Sequence, residues 1–281
     1  MPSRPPIEIA ALQTVSGPDV AGNLAVAGEL IAEAAGEGAR LLVLPEFFAL
    51  ISEDENAKLR ARERDGDGPI QDFLRSAAAR HGVWIVGGTL PLAASAPDKV
   101  RNAALVFDDH GERVARYDKI HLFGFARGDE RYDEACTIEA GSRVACFDSP
   151  AGRVGLAVCY DLRFPEFFRA MGEVDLIVLP AAFTYTTGQA HWETLLRARA
   201  IENQCYLVAA AQGGRHPHGR RTWGHSMIVD PWGDILACRA EGPGAVAATL
   251  DPARIAEIRQ SLPALRHRRP EVMTIVSSME I

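Results

Sequence analysis

Residues 153–168 read RVGLAVCYDLRFPEFF, and the two halves of this stretch behave differently. Val154 to Val158 form an apolar run of the kind carried by a strand buried on both faces. Behind Cys159 the chain turns polar, with Asp161, Arg163 and Glu166 crowded together. The pattern predicts a strand over 153–159 and a short helix over 164–171. Alternation of buried strands with helices is the signature of an α/β architecture. The cysteine itself can be core filler, a metal ligand, half of a disulfide or a nucleophile.

The same rhythm continues on both sides of this stretch. Upstream, IEIAALQTV (7–15) reads as a strand, and Asp19 is placed to cap a helix to about Gly36 with Leu24, Ala27, Ile31 and Ala34 on one face. RLLVLPEFF (40–48) is a continuous apolar strand ending at Pro45–Glu46, 69–81 an amphipathic helix, and VWIVGGTL (83–90) another strand. NAALVFDDHGERVARYDKIHLF (102–123) has a DDHG turn between two alternating runs, the pattern of a β-hairpin. Downstream, VDLIVLPAAF (174–183) is a buried strand. Residues 189–203 form a helix with Trp192, Leu195, Leu196 and Ala200 inward and a Glu193–Arg197 pair one turn apart. CYLVAAA (205–211) is a strand and HSMIVDPWGDILACRA (225–240) a second hairpin. No Pro/Gly/Ser linker longer than a loop interrupts the 281 residues, so a single layered domain over 1–281 is expected. The alternation does not say how many sheets there are.

Composition narrows the functional classes. The chain is 47% hydrophobic and 24% charged, as expected of a folded protein with a sizeable core. A net charge of −7 argues against a general nucleic-acid surface. The short basic cluster RHRR (266–269) reads as a solvated or subunit-contact segment. No apolar run approaches the ~18 residues of a membrane span, and the N-terminus lacks the apolar core of a secretory signal. A cytosolic protein with no membrane partner is therefore expected. The cysteines at 136, 146, 159, 205 and 238 are odd in number and scattered, and so read as free thiols. No CxxC pair occurs, the histidines lack zinc-ligand spacing, and His216 and His218 read as part of a surface loop. No metal is expected.

Three polar residues stand where apolar strands end: Glu46 after LLVLP, Lys119 after VARYD, and Cys159 after VGLAV. Each has a bland alternative: a helix N-terminal acid, a solvated strand edge, a small core hydrophobe. Together they are chemically complementary. An ammonium stabilises a thiolate, and a carboxylate can take the thiol proton and return it to a leaving amine. The ammonium, with a backbone N–H just after the cysteine, can also meet the oxyanion of acyl transfer. A Cys/His dyad remains open, with His121, His191 and His225 as candidates. His121 would share the face of Lys119 on a strand. The residues alone give a cysteine hydrolase and leave its base undecided.

At these positions the chain resembles a known family. LLVLPEFF, RYDKIHLFGF and VGLAVCYDLRFPEFFR look like the three catalytic blocks of the nitrilase superfamily, the carbon–nitrogen hydrolases, and the resemblance runs from about residue 7 to 272. AHWETLLRARAIENQCYLVAAAQ and WGHSMIVDPWGD narrow it to the Nit branch, and to its deaminated-glutathione amidases more than its ω-amidases. The resemblance implies a four-layer α-β-β-α sandwich that pairs into a homodimer across helices. It implies Cys159 as nucleophile, Glu46 as general base and Lys119 as oxyanion-stabilising ammonium. Glu134, in YDEACTIEAG, becomes a second glutamate holding Lys119 and the substrate amide in place. The Tyr160 N–H completes the oxyanion site, and Arg163 binds a substrate carboxylate. The implied reaction needs no cofactor. It is hydrolysis, through a thioester, of the primary amide of a small carboxylate-bearing substrate resembling deaminated glutathione, with release of ammonia and a role in metabolite repair. ω-Amide, nitrile and carbamoyl substrates would use the same residues; a binding protein without catalysis would be expected to have lost one of the set. The segment HLFGFARGDERYDEA departs from the branch. Its Arg127, Asp129, Glu130 and Arg131 should border the substrate mouth.

Overall fold

A computed structural model describes residues 4–54, 56–128 and 130–269; Asp129 and the last residues of the expected 7–272 core lie outside them. The first half runs β1 (Ile7–Gln13), α1 (Val20–Gly36), β2 (Leu41–Val43), the single turn α2 (Ala57–Arg60), α3 (Pro69–His81), β3 (Trp84–Val86), β4 (Leu90–Ala93), β5 (Val100–Phe107) and β6 (Arg113–Asp118). A small antiparallel ribbon follows, β7 (Gly124–Arg127) with β8 (Glu130–Asp133). The second half runs β9 (Ala145–Ser149), β10 (Gly152–Leu156), α4 (Pro165–Ala170), β11 (Leu176–Ala181), α5 (Tyr185–Asn203) and β12 (Tyr206–Ala211). It continues with β13 (Gly213–Arg215), β14 (Arg221–Trp223), β15 (Ser226–Val229), β16 (Ile235–Arg239), β17 (Gly244–Leu250) and α6 (Pro252–Ser261).

These strands make two large sheets. One has the order β17-β1-β2-β3-β5-β4, with β6 on the other edge of β5; the second has the order β16-β15-β12-β11-β10-β9. At the centre of each, three strands are parallel: β1, β2 and β3 in the first, β10, β11 and β12 in the second. Because strand side chains alternate in direction, the residues of the first sheet divide cleanly. Ala10, Leu12, Leu42, Leu44, Ile85 and Leu105 pack against Ile31 of α1 and Leu74 of α3. Ile9, Ala11, Leu41, Val43, Val86 and Val106 join the core that continues through the second sheet to Trp192, Leu196 and Ala200 of α5. β1 and β2 lie across β12. The result is the expected four-layer α-β-β-α sandwich.

Most predicted elements form, and the differences have local causes. The strand expected over 83–90 breaks at Gly87–Gly88, where Gly88 adopts a φ of +53°. A Cβ there would lie 2.1 Å from the Pro45 carbonyl oxygen, so only glycine admits this approach. α5 begins at Tyr185 rather than Gln189 because Thr184 caps it, accepting from the Thr187 N–H at 3.4 Å. Both hairpins form, as does the Glu193–Arg197 pair at 3.4 Å. The surface-loop reading of His216 fails. Its ring is buried between the Ser16 carbonyl oxygen at 2.7 Å and Thr222 Oγ1 at 2.9 Å. None of the five cysteines forms a disulfide. Among the described residues no helix is long and apolar enough to cross a membrane, and no cluster of His, Cys, Asp or Glu suits a metal ion.

Candidate active site

The parallel strands of both sheets point the same set of ends toward one region, the place where open α/β sheets bind ligands. β2 delivers Glu46, the hairpin β5–β6 delivers Asn102 and Lys119, β10 leads to Cys159, and β11 leads to Ala182. Side chains from sequence positions far apart therefore meet. Lys119 Nζ donates to Glu46 Oε1 at 2.8 Å and to Glu134 Oε2 at 2.7 Å. The lysine is fully buried and Glu46 is 1% exposed. Glu46 Oε1 also accepts from Asn102 Nδ2 at 2.9 Å, and its Oε2 from the Ala182 N–H at 3.0 Å. Glu134 opens a 3₁₀ turn over Glu134–Cys136, and its Oε2 accepts a second bond, from the Phe123 N–H, at 2.8 Å.

Such a cluster is tolerated because no charge in it lacks a partner. Burial presses Lys119 to lose its proton, but the charges of Glu134 and Glu46 outweigh it and hold the pKa well above the usual lysine value. Lys119 is thus an ammonium. Cys159 goes the other way. Burial and the Glu46 charge drive the thiol well above its ordinary range; Lys119 pulls it down but does not prevail. The cysteine therefore rests as a thiol, whose proton must be removed as it reacts.

The strand predicted through Cys159 ends at Leu156, and Cys159 instead begins a 3₁₀ turn over Cys159–Arg163 with a φ of +48°. That conformation is uncommon for a side chain with a Cβ and marks a sharp turn that turns the thiol out of the sheet. Asp161 holds the turn. Buried completely, it accepts from the Val158 N–H at 2.8 Å, the Tyr117 hydroxyl at 2.7 Å, and the backbone N–H (3.2 Å) and Nδ1 (2.7 Å) of His121. Burial and the Asp161 charge keep the Tyr117 hydroxyl protonated far above its ordinary range. Sequence reading assigned no role to Tyr117, nor to Gln212, whose Nε2 donates to the Glu46 carbonyl at 3.1 Å and to Ser16 Oγ at 2.9 Å.

The histidine alternatives are engaged elsewhere. β6 stops at Asp118, so Lys119 and His121 do not share a strand face, and His121 is stacked on Phe164 at 3.8 Å. His191 Nδ1 meets Arg163 at 3.2 Å, and His225 Nδ1 faces the Trp223 carbonyl at 2.9 Å. Arg163 does not pair with Glu166. Its guanidinium lies over the rings of Tyr160 and Phe183, at 5.8 and 5.4 Å, in the wall of a narrow pocket that also holds Cys159, Phe123, Thr184 and Thr187. Part of the 124–133 segment lies beside this pocket. Glu130 accepts from Thr186 Oγ1 at 2.9 Å, and Arg131, Tyr132 and Asp133 line a wider adjoining cavity.

Comparison with known proteins places this arrangement. The carbon–nitrogen hydrolase family model matches residues 8–260. A deaminated glutathione amidase of Yersinia enterocolitica is 43% identical over 266 residues, 93% of this chain and 92% of that protein. The crystal structure of the Caenorhabditis elegans NitFhit protein superposes with a TM-score of 0.86 at 36% identity, covering 97% of this chain and 67% of the other. An amidase of Nesterenkonia superposes with a TM-score of 0.77 at 26% identity over 96% of this chain and 95% of its own, and carries the acetamide moiety of fluoroacetamide on its active-site cysteine. The chain belongs to the carbon–nitrogen hydrolase family of the nitrilase superfamily.

Proposed function

We propose that this enzyme hydrolyses an amide bond of deaminated glutathione or a close relative of it, with Cys159 as nucleophile. The observation that carries the reading is the buried Lys119 ammonium held between Glu46 and Glu134 within electrostatic reach of a protonated thiol. Glu46 takes the thiol proton as Sγ attacks the carbonyl carbon. The oxyanion is met by Lys119 Nζ and the Tyr160 N–H. Glu46 then protonates the departing nitrogen as the C–N bond breaks, leaving a thioester on Cys159. Water attacks the thioester, its proton passes to Glu46, the C–S bond breaks, and the proton returns to sulfur. Glu134 orients Lys119, and Arg163 takes a substrate carboxylate by paired N–H donors.

The substrate assignment is supported by the names of relatives spanning most of the chain. Glutathione without its amino group has secondary amides only, so the leaving group is an amine, whereas a primary amide would give ammonia. The exposed Ile201, Trp232, Ile235 and Leu236 support a homodimer, and five cysteines without a disulfide suit a cytosolic setting. The test is product release, wild type against Cys159→Ala, with deaminated glutathione, α-ketoglutaramate, aliphatic amides, a carbamoyl compound and a nitrile. Amine release from deaminated glutathione that needs Cys159 is expected. Cysteine-dependent turnover confined to the nitrile or the carbamoyl compound would replace this reading.

A further inference from the structure

Beyond the nucleophile pocket the cleft continues past Phe123 and Glu134 into a cavity of about 290 Å³. Its wall holds three cations, the exposed Arg131 and the half-buried Lys58 and Arg220, and nothing so far accounts for the latter two. Lys58 Nζ has one hydrogen-bond partner among the described residues, the neutral Thr137 Oγ1 at 3.3 Å, and no ion pair. Arg220 makes no ion pair among the described residues; its Nε is buried without a partner, and its guanidinium lies over the Tyr132 ring at 5.3 Å. Both ring nitrogens of His218, on the same wall, are likewise buried and unpartnered.

The acids of this wall do not neutralise Lys58 or Arg220. Glu134 is engaged by Lys119 and Phe123, Asp133 caps the Ala135 N–H at 3.0 Å, and Glu53 is exposed and pairs with neither of the two. Burial, with the charges of Arg220 and Lys119, lowers the Lys58 pKa against the opposing pull of Glu134 and Glu46. Two like charges facing one cavity with unfilled donors form a site awaiting an anion.

We propose that Lys58 and Arg220 form a second anion subsite, which binds a carboxylate at the end of the substrate remote from the one held by Arg163. The inference rests on the function proposed above and deepens it: the preferred substrate is an acid at both ends, with the scissile amide between them at Cys159. Deaminated glutathione meets that description, and a short ω-amide of a single carboxylic acid does not.

The subsite is testable without turnover. In Cys159→Ala protein, α,ω-dicarboxylates from succinate to sebacate are titrated against monocarboxylates of equal length by calorimetry. A dicarboxylate of spanning length should bind roughly 10-fold or more tightly than its monocarboxylate, the scale of one charge-assisted hydrogen bond. Lys58→Gln with Arg220→Gln should abolish that advantage, and each single substitution should remove part of it. Thermal unfolding of each variant reports whether the fold is kept. No dicarboxylate advantage, or one that survives the double substitution in folded protein, overturns the proposal. Hydrolysis of deaminated glutathione by the wild type is scored separately. Its failure beside an intact dicarboxylate advantage would remove the named substrate and leave the subsite.

Discussion

Lys119→Met separates the catalytic use of the buried ammonium from its structural one. The methionine fills a similar volume but leaves Glu46 and Glu134 facing each other without the cation that bridges them at 2.8 and 2.7 Å. Breaking a buried pair by removing one partner costs about 3–5 kcal/mol. Here the lower end is expected, because Glu46 keeps its bonds from Asn102 and Ala182 and Glu134 keeps the Phe123 N–H. Loss of an oxyanion donor should lower kcat roughly 10²–10³-fold. The thiol loses the one side chain among its main influences that lowers its pKa, so alkylation of Cys159 at fixed pH should slow.

The decisive comparison adds Glu134→Gln. Removing that charge leaves one buried carboxylate instead of two, so urea unfolding should recover about 1–2 kcal/mol of the lost stability. Turnover should not recover, since the oxyanion still meets no cation. Near-normal kcat in Lys119→Met, or its restoration by Glu134→Gln, would refute the assignment of Lys119 to the oxyanion.

Burial pushes His216 down to about 4 from an ordinary 6.5. The folded state therefore binds fewer protons than the unfolded one across that interval, and stability falls as pH drops from about 6.5 to about 4, by about 3 kcal/mol. Urea midpoints across this range should show a loss that His216→Gln lacks. Gly88→Ala forces a Cβ against the Pro45 carbonyl at a φ of +53° and displaces the turn carrying Glu46. Its unfolding midpoint should fall by at least the ~1–3 kcal/mol of a strained backbone site, and kcat should fall with it. Because one core runs through both sheets, residues 1–281 should unfold in a single transition by fluorescence and circular dichroism alike.

What could be read in the sequence was what local pattern encodes. Glu46, Lys119 and Cys159 stood out because a polar residue closing an apolar strand is anomalous on its own, whatever it later meets. Glu134 gave no such signal. It lies in a polar loop, and only resemblance to the family singled it out. Asn102, Tyr117 and Gln212 were missed for a different reason. Their partners lie far away along the chain, as with Gln212 reaching Glu46, and periodicity reports only which face a residue shows. The same limit hid the second sheet, since buried strands alternating with helices look alike whether they share one sheet or two. The positive φ of Cys159 was invisible because a run of apolar residues does not announce where its hydrogen-bond ladder stops.

The arrangement of the proposed catalytic set follows from this two-sheet division. Glu46, Asn102 and Lys119 belong to the first sheet, whereas Cys159 and the Ala182 N–H belong to the second. In the proposed mechanism, proton transfer between Glu46 and the thiol depends on how the sheets sit on one another, which is set by the apolar layer of Ile9, Val43, Val154 and Val178 between them. Close packing makes such a layer resist compression and sliding. The Ala182 N–H bond to Glu46 Oε2 and the Gln212 bond to the Glu46 carbonyl then tie the two sheets directly at the site. A carboxylate held by donors from both sheets needs little rearrangement when it takes the thiol proton, and electrostatic preorganisation of this kind accounts for much of enzymatic rate enhancement. The buried charges that cost the fold stability are thus the same groups whose fixed positions serve the proposed reaction.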